Sequence, residues 1–466
     1  MSIRVLLEYF QRLFFKKTEV SRFGRVFSIG NLTILRRSQL ANLFSRIAQL
    51  EWLTTLDHKS AEVLLERSSS RSQQRSVMFL HNSYYNFYYL ARALRKRGWD
   101  AISVSIEDPN GPHAKFYHGN DLNLYDASDE KMRSNLEGLF AESINRFRMV
   151  HFYGRGHMSL FPSEFDSGEP FARLPLDFLK LKQSGIKIGY SVCGCLDGVS
   201  QSAFRRWSGG CCDRCVWQDA ALVCNDRMNL AWGHKVEMFC DLVACEGFPA
   251  LDYQSGPKAY REPLTTALDP SVWRPDLEVP ECFRLARKND CLIVYHAVGN
   301  FEFRANKGRN LKGSGAVADA IERLQAEGVN VRLEFVTDVS SRDIRFIQVQ
   351  ADVIVDQLNH GRYGATAREG MMLGRPTVCY INKAEAVGQT RLDSIENCPL
   401  VSASETTIYE VLRELLVDAD KRREIGIESR KFAMRWHSAD ACAERFEQVY
   451  DRLMSGMPPS QEARAV

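Results

Sequence analysis

The sequence predicts an α/β protein: two doubly wound parallel-sheet domains facing a cleft, behind an N-terminal helical extension. Three observations carry that reading. Short continuous apolar runs alternate with helical patterns in both halves of the 466 residues, as strands buried on both faces and their crossover helices do. A proline-bearing segment of weak periodicity, "YREPLTTALDPSVWRPD" (Tyr260–Asp276), separates the halves. The N-terminal residues share neither pattern.

In "RVLLEYFQRLFFKK", Leu6, Tyr9, Phe10, Leu13 and Phe14 recur at helical spacing, with Arg4, Glu8, Arg12, Lys16 and Lys17 on the other side. Such a helix docks on the body of a protein or lies on an anionic membrane surface, and the pattern fits both. The polar run "RSSSRSQQRS" (Arg67–Ser76) reads as a linker. Residues 1–75 are therefore a basic amphipathic helical extension.

Residues 76–262 form the first predicted domain. "VMFLHN" (Val77–Asn82) is a strand, "SYYNFYYLARALRKRGW" a helix and "DAISVSIE" the next strand. "RMVHFYG" (Arg148–Gly154), "KIGYSVCG" (Lys187–Gly194) and "AALVCN" (Ala220–Asn225) are further strands, with a helix at Leu174–Gln183. The second domain, 263–435, repeats the grammar. "CLIVYHAV" is a strand, "GSGAVADAIERLQAEG" a helix and "VRLEFVT" a strand; "RDIRFIQVQ" is a short helix, "ADVIVDQL" a strand, "ATAREGMMLG" a helix and "PTVCYIN" a strand. A final helix at 436–456 and a disordered tail at 457–466 complete the chain.

Composition excludes other classes. With 45% hydrophobic and 26% charged residues the chain has soluble globular usage, and a formal charge of +3 gives no case for a nucleic-acid partner. No window offers the roughly 20 apolar residues of a membrane span. Glu8 and Arg12 interrupt the N-terminal apolar stretch, which disqualifies it as a secretory signal, so a cytoplasmic location is expected. The 13 cysteines are odd in number and read as reduced thiols or metal ligands. Cys193 and Cys195, with Cys212 and Cys215, offer four thiolates to a structural zinc; the alternative is small buried residues near strand ends.

The segment "DQLNHGRYGATAREG" concentrates the chemistry. It is a loop at the carboxyl end of a strand, followed by a helix starting near Ala365, whose unpaired N–H groups and positive dipole end face the expected cleft. Gly361 and Gly364 allow close approach of a ligand, and Glu369, about one turn in, can accept from a sugar hydroxyl. Together they suit a nucleotide diphosphate. His296 ends a strand on the same rim, where it contacts a ligand or packs.

This segment resembles the donor-binding segment of family 4 glycosyltransferases of the GT-B fold, as do "TALDPSVWRPD" in the linker and "GRNLKGS" before the helix near Gly313. The resemblance spans about Tyr260–Met454, is weaker over Ser76–Phe248 and does not reach the extension. It implies two Rossmann-like domains, the first for acceptor and the second for donor, and a final helix crossing back to the first. It implies transfer of a sugar from a nucleoside-diphosphate sugar to a glycan or lipid-linked acceptor, with retention, in polysaccharide assembly; peripheral contact with the inner membrane surface is expected only if the N-terminal amphipathic helix lies on the membrane. No cofactor is implied. Arg309 and Lys312 fall where the family puts the basic pair on the diphosphate; such cations would stabilise the departing group without a metal. Donor contacts are implied for Tyr363, Gly364, Ala365, Thr366, Glu369 and His296.

Departures accompany the matches. The family carries two glutamates eight positions apart; Glu369 matches the second, while Gly361 stands at the first, leaving Asn359, His360 or Arg362 as substitutes. The first strand ends "HNSYYN" in place of a glycine-rich turn. The place of a histidine near the reacting sugar falls on Tyr153, with His151 and His157 as the nearest imidazoles. A non-catalytic scaffold of the same fold, or a nucleotide-sugar epimerase, is the alternative.

Overall fold

The computed structural model describes residues 17–21, 24–29, 32–36, 75–80, 84–154, 176–192, 198–207, 212–213, 215–220, 224–244, 257–299, 310–337, 339–383 and 392–460. The chain divides into two compact units, Met1–Gln73 with Phe171–Gly185, and Gln74–Pro170 with Ile186–Val466. In the first unit β1 (Lys17–Ser21), β2 (Gly24–Ile29) and β3 (Leu32–Arg36) form an antiparallel sheet. Within the expected helical extension these described residues are strands, not helix. The stretch is rich in β-branched residues, Thr18, Val20, Val26, Ile29, Thr33 and Ile34, which suit a pleated surface. Of the amphipathic segment, only Lys17 is among the described residues.

The second unit holds two parallel sheets. Its first has seven strands, β4 (Ser76–Leu80), β5 (Asp100–Ser105), β6 (Leu122–Asn123), β7 (Met149–Tyr153), β8 (Lys187–Ser191), β9 (Leu242–Ala244) and β10 (Ala259–Tyr260). Their order is β10-β9-β8-β7-β4-β5-β6. Every residue of β4 is buried, as the continuous apolar run requires of a strand covered on both faces. Helices α1 (Asn86–Lys96), α2 (Asp129–Arg146), α3 (Gln201–Trp207) and α4 (Asp226–Phe239) connect these strands.

Residues 221–223 of the expected strand "AALVCN" lie outside the described residues; at its ends the Cys224 N–H donates to the Ala220 carbonyl at 2.9 Å. The strand beside β8 is β9, reached through α4.

The second sheet follows the predicted order closely. Its strands β11 (Leu292–Val298), β12 (Val331–Thr337), β13 (Val353–Val355) and β14 (Thr377–Val378) run parallel as β12-β11-β13-β14. Helices α5 (Ser314–Ala326), α6 (Ile344–Gln348) and α7 (Ala365–Met372) intervene, and α8 (Ile408–Val417), α9 (Ala419–His437) and α10 (Ala439–Met454) follow.

Helices α9 and α10 meet at Ser438. The Leu268 N–H donates to His437 O and Leu268 O accepts from the Ala439 N–H, both at 2.7 Å. Ser438 then caps α10, its Oγ accepting from the Ala441 N–H at 3.2 Å. The proline-bearing segment is thus packed rather than exposed, with Leu264, Ala267, Leu268 and Trp273 fully buried.

Helix α10 packs on α1 of the first half. Phe446 lies 5.5 Å from Phe79 and 5.6 Å from Trp99 between ring centroids, and Tyr450 lies 4.7 Å from Trp99. Glu447 accepts from Trp99 Nε1 at 2.7 Å and from Arg75 at 3.0 Å. One buried apolar cluster therefore runs from β4 and α1 through Trp273 to α7 and α10. Among the described residues no helix is long and apolar enough to cross a membrane.

Candidate functional site

The carboxyl ends of β11 and β13 bring two loops together. The first leads to α5 and carries Lys312; the second, from Asp356 to Gly364, leads to α7. Asp356 joins them: its Oδ1 pairs with the Lys312 ammonium, and its Oδ2 accepts the Gly364 N–H at 2.8 Å. A second tie lies alongside. Asn359 Nδ2 donates to Asn310 O and to Glu405 Oε1, and Asn310 Nδ2 donates to the same Glu405 oxygen, all at 2.7 Å.

No side chain caps α7, whose N-cap is Gly364. In an α-helix the first N–H groups have no intrahelical acceptor, so the N–H groups of Ala365 and Thr366 are left for a ligand or solvent. Gly364, Ala365 and Thr366 are half-buried, whereas Ala367 to Met372 are buried. The start of the helix is therefore its accessible part, beside Lys312.

Glu369 is placed differently from the expectation of an open crevice. Tyr85, from the start of α1, donates its hydroxyl to Oε1, and Gln348, ending α6, donates to Oε2 at 2.7 Å. Burial pushes the Glu369 carboxyl above its usual range, and these two hydrogen bonds offset part of that rise. Tyr85 in turn packs 4.9 Å from Trp273 and 4.7 Å from His118. Burial also raises its own hydroxyl well above the usual phenol value. The carboxylate is sealed in this structure.

His296 is likewise committed inward. Its Nδ1 donates to Val355 O at 3.0 Å, which leaves Nε2 to accept the Ser314 hydroxyl at 2.8 Å. Burial, with the Lys312 charge second, lowers it to about 4. Both nitrogens are thus used inside the protein, which favours packing over ligand contact. Tyr363 is buried, with its hydroxyl 3.1 Å from His437 Nε2, so only its backbone can face a ligand. Of the proposed substitutes for the missing glutamate, Asn359 is taken up by Asn310 and Glu405, while Arg362 donates to His360 Nε2 at 2.8 Å.

His151 lies in the core of the first sheet among the rings of Phe79, Phe87 and Phe446. Its Nε2 is 2.8 Å from Ser191 Oγ, and burial lowers it to about 3. A Cβ at Gly189 would lie 2.4 Å from its Nδ1. A catalytic imidazole must reach its proton, and this one is walled off; His151 is a core histidine. Arg309, His157, Cys193 and Cys195 lie outside the described residues.

Cys212 is buried and Cys215 half-buried, and the Cys215 N–H closes a turn on Cys212 O at 3.1 Å. Among the described residues no group of three or more His, Cys, Asp or Glu side chains is arranged to hold a metal. Zinc finds no support in them.

Asp356, Tyr85 and Gln348 received no role from the sequence. Asp356 had a signal, because a carboxylate closing the apolar run "ADVIV" has to be paired once buried. Tyr85 and Gln348 had none, since each reaches Glu369 only through the tertiary fold.

Fold and site together define an α/β protein with two parallel sheets, whose second sheet presents a lysine and a helix start at its carboxyl rim. No family model matches the chain, and no curated protein sequence does. Among solved structures, sucrose-phosphate synthase from Thermosynechococcus elongatus is similar at 14% identity over 82% of this chain and 100% of that one, with a TM-score of 0.48. The Anabaena protein HepE in complex with UDP-glucose is similar at 11% identity over 82% and 99%, TM-score 0.46. UDP-GlcNAc 2-epimerase from Neisseria meningitidis bound to UDP-GlcNAc matches at 10% over 82% and 100%, TM-score 0.43.

Proposed function

We propose that the chain is a glycosyltransferase moving a sugar from a nucleoside-diphosphate sugar to a glycan or lipid-linked acceptor. The observation that carries this reading is the meeting of Lys312 with the start of α7 across Asp356 at the carboxyl rim of a parallel sheet. Such rims are where open α/β sheets bind ligands, and a helix start beside an ammonium matches a diphosphate. An ammonium has three donors; Asp356 takes one and leaves two for phosphate oxygens. With Arg309 as the second cation, the negative charge growing on the departing diphosphate is stabilised as the sugar–oxygen bond breaks. The sequence resemblance supports retention of anomeric configuration. It also supports a place in polysaccharide assembly; the amphipathic pattern of the basic extension, separately, suits a contact with the inner membrane surface.

A second reading has its own observation. Glu369 has both oxygens engaged, so a scaffold that binds no donor would leave it as it stands. A thermal-shift screen of nucleoside diphosphates and their sugars separates the two, because a ligand bound only by the native state raises the melting point. One nucleotide sugar that stabilises the protein and is slowly hydrolysed to free nucleoside diphosphate supports the transferase. Stabilisation by none removes it.

A further inference from the structure

Asp356 is a charged side chain placed one residue beyond an apolar strand, and it is 0% exposed against 13% for its partner Lys312. Burying a carboxylate is costly unless it is paired and hydrogen-bonded. Here the two oxygens are divided between two loops: Oδ1 to the Lys312 ammonium, Oδ2 to the Gly364 N–H at 2.8 Å. One carboxylate therefore fixes where the ammonium stands relative to the start of α7.

Building on the nucleoside-diphosphate reading, we propose that Asp356 is the positioning residue for Lys312: it holds the ammonium against α7 and tempers its charge, so that the diphosphate is aligned during transfer and released afterwards. Two effects of opposite sign follow. The carboxylate weakens the resting hold on any anion, because it already offsets the lysine charge and repels a phosphate. It also immobilises the ammonium, and a preorganised donor stabilises charge that develops during reaction better than a free one.

Asp356→Asn separates these effects. The amide keeps the volume and keeps an oxygen for the Gly364 N–H, while the charge is gone. Inorganic pyrophosphate should then bind about three- to tenfold more tightly, with a steeper dependence on salt, because the freed ammonium is a stronger anion partner. Turnover of the donor should fall by about tenfold or more, because the ammonium is no longer held. A merely structural role would not move binding and turnover in opposite directions.

The test is isothermal titration of full-length wild type, Asp356→Asn and Asp356→Glu with inorganic pyrophosphate at two salt concentrations. It is run beside kcat and KM on the nucleotide sugar that the protein hydrolyses. Asp356→Glu keeps the charge but displaces the ammonium by one methylene. Its pyrophosphate affinity should stay within about twofold of wild type while kcat falls at least about threefold. This variant carries the test if Asp356→Asn does not fold. Unchanged pyrophosphate affinity and salt dependence in folded Asp356→Asn, or unchanged kcat in Asp356→Glu, overturns the positioning role and leaves the diphosphate reading standing. Wild type that binds neither pyrophosphate nor any nucleoside diphosphate overturns both.

Discussion

Replacing Tyr85 with phenylalanine removes one oxygen from the seam between the two halves and leaves the ring in place against Trp273 and His118. Glu369 then keeps a single partner, Gln348, for a buried carboxyl group. A hydrogen bond to an ionised group contributes about 1.5–3 kcal/mol and one between neutral groups about 0.5–1.5 kcal/mol. The sign of the pH dependence follows from the direction of the Glu369 shift. Its folded value is raised by burial, so its contribution to stability is full below the unfolded value and is lost as pH rises through the folded one. The Tyr85 hydroxyl favours the ionised form, and its loss raises Glu369 further. The deficit of Tyr85→Phe should therefore widen with pH, from roughly 1 kcal/mol when Glu369 is protonated to roughly 2 kcal/mol or more when it is ionised. Thermal midpoints across a pH series read this as a gap of a few degrees that grows once Glu369 ionises. A gap that is absent, or that narrows with rising pH, refutes the buried pairing of Tyr85 with Glu369.

Lys312→Ala should lower donor turnover at least about tenfold and destabilise the fold by about 3–5 kcal/mol, because Asp356 is left buried and unpaired. Adding Asp356→Asn should restore the melting point and not the turnover; restoration of neither contradicts the pair. His151→Leu should leave turnover within about twofold and should soften the acid sensitivity of the fold. His151 is held at about 3, so its contribution is present above the unfolded value near 6.5 and is lost as pH falls; a hundredfold loss of activity in a folded variant would make it catalytic after all. Gly313→Ala should cost about 1–3 kcal/mol, since Gly313 has φ +66° and its Cβ would lie 2.9 Å from Leu358 Cβ. A melting point equal to wild type would mean that the Lys312 loop relaxes freely.

The second sheet was legible in the sequence because each strand is a short apolar run bounded by turn residues, as in "CLIVYHAV" and "ADVIVDQL", and each crossover has one clear helix. Where the first half departs, the cause is local. Helix α2 buries only Leu136, Leu139 and Ser143, too thin a stripe to mark an 18-residue helix. Strand β9 has three residues and carries no periodicity to read. The candidate site was half legible: the loop, Lys312 and the start of α7 follow from chain order. The sealing of Glu369 by Tyr85 and Gln348 depends on residues 284 and 21 positions away, which no local pattern encodes.

The halves are joined in two physically different ways. At one place α10 lies on α1 and on Trp99 just beyond it, with Phe446 and Tyr450 against the indole and Glu447 accepting from it, a largely apolar contact whose separation would expose several aromatic rings. At the rim, by contrast, the join is polar. Ser341 N–H donates to Lys115 O at 3.0 Å, Ser341 Oγ to Phe116 O at 2.8 Å, and Arg342 to the carbonyls of Tyr117 and His118 at 3.1 Å. Phe116 there stands 4.0 Å from where a Cβ of Gly299 would be, just past the end of β11. Each rim bond is worth only about 0.5–1.5 kcal/mol net and can be exchanged for water. Opening therefore costs least at the rim and most at α10, so the halves should part as jaws hinged on the α1–α10 contact. Cross-linking α1 to α10 should then leave donor binding intact, whereas cross-linking residue 116 to residue 299 should abolish it; equal effects of the two links would remove the hinge from this position.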